Sequence, residues 1–295
     1  MPVKRKRLAA LVLAALVLAA LLWGCTPQPT PTDPPPSTDA PRPTVAQPTV
    51  EVLTPVSAVC NLPDGFLNYY LTLQYDAMGN LQSITRYDAQ GQQEAKESYR
   101  YDEGGRVTAI QPKDGLEVTY HNYDAAGNRI RTEAGLVRQE YSYDSQGLLQ
   151  TRELYVGDVL SQYTSYTYND RGLLEKVQEF DSQGILLDCT QYTYNSRGWL
   201  LKEQTFDDAG SPPATITYQY NTQGFRLGQE KRNPSGGLIS RVQMTYDGRG
   251  NLLTVHQYDE NLELQWWLEF SYGEIPVVED NLTEFYTARK ELLGF

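Results

Sequence analysis

Apolar and polar positions alternate along most of this chain in runs of eight to ten residues, and turn residues cut one run from the next. Residues 166–210, YTYNDRGLLEKVQEFDSQGILLDCTQYTYNSRGWLLKEQTFDDAG, show the unit. Tyr166 and Tyr168 stand two apart before Asn169 and Gly172, and the arrangement returns 26 residues later at Tyr192, Tyr194, Asn195 and Gly198. A period of two predicts β-strands, and the interruptions come too often for a helix of ~10–12 residues to develop.

The second tyrosine of this pair anchors nine units: Tyr75, Tyr101, Tyr123, Tyr143, Tyr168, Tyr194, Tyr220, Tyr246 and Tyr272. In eight of them Asp or Asn follows, and Gly stands four residues after the anchor, from Gly79 to Gly250. The ninth breaks off at Gly273-Glu274-Ile275-Pro276, as the end of an array should. Asp or Asn accepts a hydrogen bond from the backbone N–H two residues on, and Gly supplies the positive φ that closes a type I turn with a bulge. A second turn set lies about half a unit later, at Asp88–Gly91, Asp181–Gly184, Asp207–Gly210 and Asn233–Gly236. Each unit is thus a hairpin, and residues 59–280 should form an all-β antiparallel meander of about 17 or 18 strands. A twisted sheet that wide must curl, split or spiral.

The pairing expected around Gly172 sets Tyr168 against Leu174 and Tyr166 against Lys176, and Phe180 against Leu186 after the next turn. One surface then carries Tyr166, Tyr168, Leu174, Phe180, Leu186, Tyr192, Tyr194 and Leu200. The other carries Leu173, Val177, Ile185, Leu187 and Trp199. Residues 281–295 read differently: Asn281 and Glu284 open a cap-like start, and Leu282, Phe285, Tyr286 and Leu292 fall near helical spacing. They predict a short helix covering the last exposed edge.

The motif Y-x-Y-[DN]-x-x-G-[RNLW]-L resembles the Rhs/YD-repeat family of bacterial surface and toxin proteins, also present in teneurins, over roughly residues 62–273. The resemblance implies hairpins wound into a β-shell and a surface or secreted setting. This array is short, and its ~20 remaining residues leave no room for a C-terminal toxin domain, so an enclosed cargo is not expected.

The N-terminus changes the picture of location. Lys4, Arg5, Lys6 and Arg7 precede an apolar run from Leu8 to Leu22, then Gly24 and Cys25. The run is shorter than the ~20 residues a membrane-spanning helix needs. Residues 1–24 read as a lipoprotein signal peptide, with Cys25 as the lipid attachment site, although Trp23 replaces the small residue usual there. Residues 25–58, rich in Pro and Thr, are expected to be a disordered linker that stands the array off the membrane. The net charge of −12 becomes more negative once the four basic residues leave with the leader, which argues against nucleic acid as a partner.

Candidate chemistry is sparse. His121 occupies a strand position two before an anchor, and His256 lies mid-strand with no Ser or Cys arrangement. Asp76, Asp102, Asp124, Asp144, Asp181 and Asp247 begin turns, a role that needs an acceptor rather than an acid. No catalytic residue, metal or cofactor is expected, and Cys60 and Cys189 read as unpaired thiols. Aromatics that the repeat does not demand are the binding candidates: Tyr69, Tyr70, Trp199, Trp266 and Trp267. The expectation is an extracytoplasmic, membrane-anchored binding or adhesion module for a surface protein or carbohydrate. A structural envelope component is the alternative, and an enzyme the least supported reading.

Overall fold

The computed structural model describes residues 49–113, 117–207 and 214–278. The leader, Cys25, most of the linker and the C-terminal cap at 281–295 lie outside them. The described residues form eighteen strands: β1 Thr49–Asn61, β2 Leu67–Tyr75, β3 Leu81–Asp88, β4 Gln93–Tyr101, β5 Val107–Pro112, β6 Thr119–Tyr123, β7 Arg129–Ala134, β8 Val137–Tyr143 and β9 Leu149–Val156. They continue as β10 Val159–Tyr168, β11 Leu174–Asp181, β12 Leu186–Tyr194, β13 Leu200–Asp207, β14 Ala214–Tyr220, β15 Arg226–Arg232, β16 Leu238–Tyr246, β17 Leu252–Tyr258 and β18 Leu264–Val278.

Every strand pairs antiparallel with its neighbour in sequence, as the turn chemistry requires. The sheet does not end as an open spiral. β1 pairs β18 from Thr49↔Val278 to Asn61↔Trp267 and pairs β2 from Ser57↔Thr72 to Asn61↔Leu67, so the meander closes into a barrel. Closure removes both sheet edges, the hazard for which a capping helix had been expected. It also moves a boundary, because β1 starts at Thr49, inside the stretch read as linker to residue 58. Its prolines give this stretch the composition of a linker. Pro55 is accommodated because the register shifts between Pro55 and Ser57, a bulge, which is where a sheet tolerates proline.

The turns form as their sequence dictates. All eight glycines of the first turn set have positive φ, from 72° to 96°. In the first turn, Oδ1 of Asp76 accepts from the N–H groups of Met78 and Asn80, both at 2.9 Å. Asp102, Asp144, Asp181 and Asp247 repeat that pattern.

Each bulge also corrects the expected register. Tyr168 does pair with Leu174, but Tyr166 pairs with Val177 rather than Lys176, since the bulge consumes one extra residue. Val177 therefore joins the tyrosine face, and Lys176 and Phe180 leave it.

The core lies on the face of the anchor tyrosines. Ala58, Cys60, Tyr69, Leu71, Leu81, Ile84, Tyr99, Val242, Leu252, Val255 and Leu268 form one cluster, against which Tyr75, Tyr101 and Tyr246 pack. With no second layer among the described residues, this face is the concave interior of the ring. The cluster occupies only the arc from β16 through β1 to β4. In the opposite arc, β6 to β14, Thr164 is the sole fully buried side chain among those described. Mid-strand positions there include Thr, Gln and Glu, with Thr190 and Thr205 hydrogen-bonded at 3.0 Å. Cys60, buried in β1, and Cys189, on β12, are free.

Candidate functional site

Two sets of contacts tie each hairpin to the next. Seven anchor hydroxyls donate to a backbone carbonyl one unit back: Tyr75 to Pro55, Tyr101 to Leu81, Tyr123 to Val107, Tyr143 to Arg129, Tyr168 to Leu149, Tyr246 to Arg226 and Tyr272 to Leu252, all at 2.7–2.9 Å. Each acceptor lies opposite the preceding anchor in the ladder. Leu81 pairs with Tyr75 and Val107 with Tyr101, and Pro55 pairs with Tyr272, which carries the series across the closure seam. The sequence held the signal for this hydroxyl. All nine anchors are Tyr, whereas two residues earlier the chain accepts Leu73, His121, Met244 and Phe270 as readily as Tyr.

The second set lies at the rim. The Arg171 guanidinium donates to the carbonyls of Asn195 and Ser196 in the next turn, at 3.3 and 3.1 Å, and Arg197 does the same to Thr222 at 3.2 Å. Trp199 packs 5.5 Å from the Tyr220 ring beneath Arg197, and its edge would lie 2.9 Å from a Cβ placed on Gly224. Trp199 is thus a unit-to-unit contact.

The barrel does not gather the five candidate aromatics into one platform. Tyr69 is 4% exposed on the interior face under the Arg86 guanidinium, 3.7 Å from its ring centre. Trp266 packs against the interior cluster. Tyr70 and Trp267 face outward, and each is stacked on a ring of the neighbouring strand. Tyr70 lies 4.8 Å from Tyr87 at 11°, and Trp267 lies 6.3 Å from His256 at 11°. His256 in turn stacks on Tyr258 at 6.4 Å. The signal for Tyr87 and Tyr258 was the aromatic-Asp pair that opens the second turn set, Tyr87-Asp88 and Tyr258-Asp259.

Burial favours the neutral forms of Tyr99, Tyr218, Cys60 and His121 on the interior. Burial, reinforced by the Glu97 carboxylate that accepts its proton at 2.8 Å, pushes the Tyr99 phenol far up. Burial likewise raises Tyr218, whose hydroxyl donates to Glu203. It also raises the Cys60 thiol, so no thiolate is presented. His121 is pushed down to about 4 by burial and by the charge of Arg129, and its Nδ1 lies 2.9 Å from the Thr132 hydroxyl. Among the described residues no group of three or more His, Cys, Asp or Glu could hold a metal.

Tandem hairpins opened by tyrosine-Asp/Asn, closed by glycine and clasped through tyrosine hydroxyls agree with a family model, the teneurin YD-shell, which matches residues 65–288. The chain belongs to that family. No curated protein matches this YD-shell chain. Among solved structures, the Photorhabdus luminescens Tc holotoxin pore is 16% identical, with 67% of this chain aligned and a TM-score of 0.31. The YD-shell chain spans 14% of that toxin chain. A porin-like protein from Bacteroides uniformis is 12% identical over 77% of this chain and 99% of its own, with a TM-score of 0.43. Its counterpart from Bacteroides vulgatus gives 12%, 60%, 94% and 0.38.

Proposed function

We propose that the protein is a lipid-anchored, extracytoplasmic YD-shell that presents its closed ring on a Pro/Thr-rich stalk as a binding or adhesion module for a surface protein or glycan. The leader and Cys25 argue for the anchor. The linker before Thr49, at ~3.1 Å per residue if extended, would hold the ring tens of ångströms from the membrane. The observation that carries the binding role is the outward aromatic strip of Tyr87, Tyr70, Trp267, His256 and Tyr258. These rings are half-exposed, whereas the anchor hydroxyls are spent on carbonyls of their own chain. Half-exposed rings that turn outward are candidate contacts.

The test is to probe arrays of glycans and of envelope and host surface proteins with the full chain, and to repeat the positives on cells that express or lack it. A ligand binding below high micromolar, with cell attachment lost on deletion, is expected. Silence across both arrays would overturn the reading. The clasped, closed ring also favours a second reading, a structural component of the envelope with no discrete ligand. In that case deletion weakens envelope integrity and removes no binding partner.

A further inference from the structure

We propose that the outer face of the closure seam is a gutter for the ring of a neutral sugar, walled by Tyr70 and Trp267 and floored by Val59 and Asn61. The inference rests on the binding role argued above and gives it a place and a ligand class.

β1 lies between β2 and β18. Val59 pairs with Tyr70 on one side and Glu269 on the other, and Asn61 pairs with Trp267. Paired residues share a face, here the one opposite the buried Ala58 and Cys60. Tyr70 has one ring face covered by Tyr87 on β3, and Trp267 has one covered by His256 on β17. Both covering rings stand on the side away from β1, so the two faces that no described ring covers turn toward each other across it. Val59 and Asn61 are too short to fill the space between them.

The walls are two strands apart, about 9.6 Å, and two residues apart along the strand, about 6.8 Å, or about 12 Å on the diagonal. A ring seated midway lies about 6 Å from each, within the ~4.5–7 Å of ring-on-ring contacts. Stacking on Tyr87 and His256 fixes the walls in advance, so binding loses little side-chain freedom.

The remaining groups select the ligand. A pyranose ring has apolar C–H faces for the walls and a rim of hydroxyls. The Asn61 amide lies beneath that rim, and the exposed Glu269 carboxylate, already accepting from Trp267 Nε1 at 3.1 Å, can take a hydroxyl proton. A net charge of −12 and a carboxylate at the gutter's edge disfavour uronic, sulfated or phosphorylated sugars.

The test is titration of the full chain with neutral glucan, mannan, galactan and xylan oligosaccharides and with acidic ones, beside the protein array. A neutral oligosaccharide is expected to bind. Tyr70→Ala and Trp267→Ala should each weaken it about tenfold or more, Tyr70→Phe should largely preserve it, and Trp199→Ala at the opposite rim should leave it unchanged. Trp267→Phe keeps a ring in place, so loss of the sugar-induced change in tryptophan emission reads the contact even if an alanine variant misfolds. Preference for acidic sugars, or a protein ligand that needs both walls, would overturn the assignment. Sugar binding indifferent to both walls would overturn it too while leaving the binding role standing; no ligand of either kind brings down both.

Discussion

Replacing Tyr75 by Phe isolates the clasp that crosses the closure seam, because it deletes one hydroxyl and leaves the ring that packs on the core. The Tyr75 hydroxyl donates at 2.7 Å to the carbonyl of Pro55, a residue under 2% exposed, so water cannot replace the lost partner. A net hydrogen bond contributes about 1 kcal/mol, and a buried acceptor left short of a partner raises the cost, giving about 1–2 kcal/mol for Tyr75→Phe. Tyr143→Phe removes the equivalent bond to Arg129, which is half-exposed and open to water. It should cost about 0.5–1 kcal/mol. For a domain of this size, each kcal/mol moves the midpoint of thermal unfolding by roughly 2–4 °C. Urea unfolding of the two variants side by side, with unchanged m-values, reads the difference directly. A neutral Tyr75→Phe would mean that the anchors act through their rings alone. Equal costs at both sites would mean that burial of the acceptor does not set the strength of the clasp.

Gly250→Ala should destabilise by about 2–3 kcal/mol and Gly236→Ala by only about 1–2. Both have positive φ, but a Cβ on Gly250 would run into the Phe225 ring, while one on Gly236 meets open space. Paired urea melts compare them. His121 has a folded pKa near 4 against 6.5 when free, so the unfolded chain binds the extra proton between those values. Stability should therefore fall as pH drops from about 6.5 toward 4, and His121→Tyr, which restores the residue found there in most units, should remove that part of the slope in melts across the range. Cys25→Ser should abolish labelling by radioactive palmitate and release the protein from the membrane fraction. A chain lacking residues 49–61 should aggregate or form higher oligomers on size exclusion, since β2 and β18 would become free edges.

What the sequence disclosed was local chemistry. Asp76 and Gly79 can be read as a turn because the acceptor and the positive φ sit within four residues, and the same holds at every unit. Antiparallel neighbours then follow from short connections. The bulges were inferred, but their effect on register was not: a residue counted once too few set Tyr166 against Lys176, and only the ladder shows Val177 in that place. Closure was hidden more deeply. β1 carries no tyrosine motif and has a proline at its centre, and its partner β18 is more than 200 positions away, so no local signal marks the pairing. The binding candidates suffered from the same blindness. Tyr69 and Tyr70 look equivalent in sequence, as do Trp266 and Trp267, and alternation puts one of each pair inside and one outside. Which one is which depends on the face the closed sheet buries.

Parity explains why a strand from outside the repeat is needed at all. Hairpins joined by short turns reverse direction at every step, so β2 and β18, the ends of a run of seventeen, point the same way. They cannot pair antiparallel with each other. One further strand of opposite direction solves this, and β1 supplies it, pairing antiparallel on both sides. The added strand also brings Pro55 opposite Tyr272, where its carbonyl receives the Tyr75 hydroxyl as though another unit stood there. The non-repeat strand thus imitates the returning arm of a hairpin at Pro55, while its C-terminal end is free to differ. At Val59 and Asn61 it carries small side chains where Tyr70 and Trp267 flank it. The strand that closes the barrel is, for that reason, also the place where the outer surface departs from the repeat and can acquire a specificity of its own.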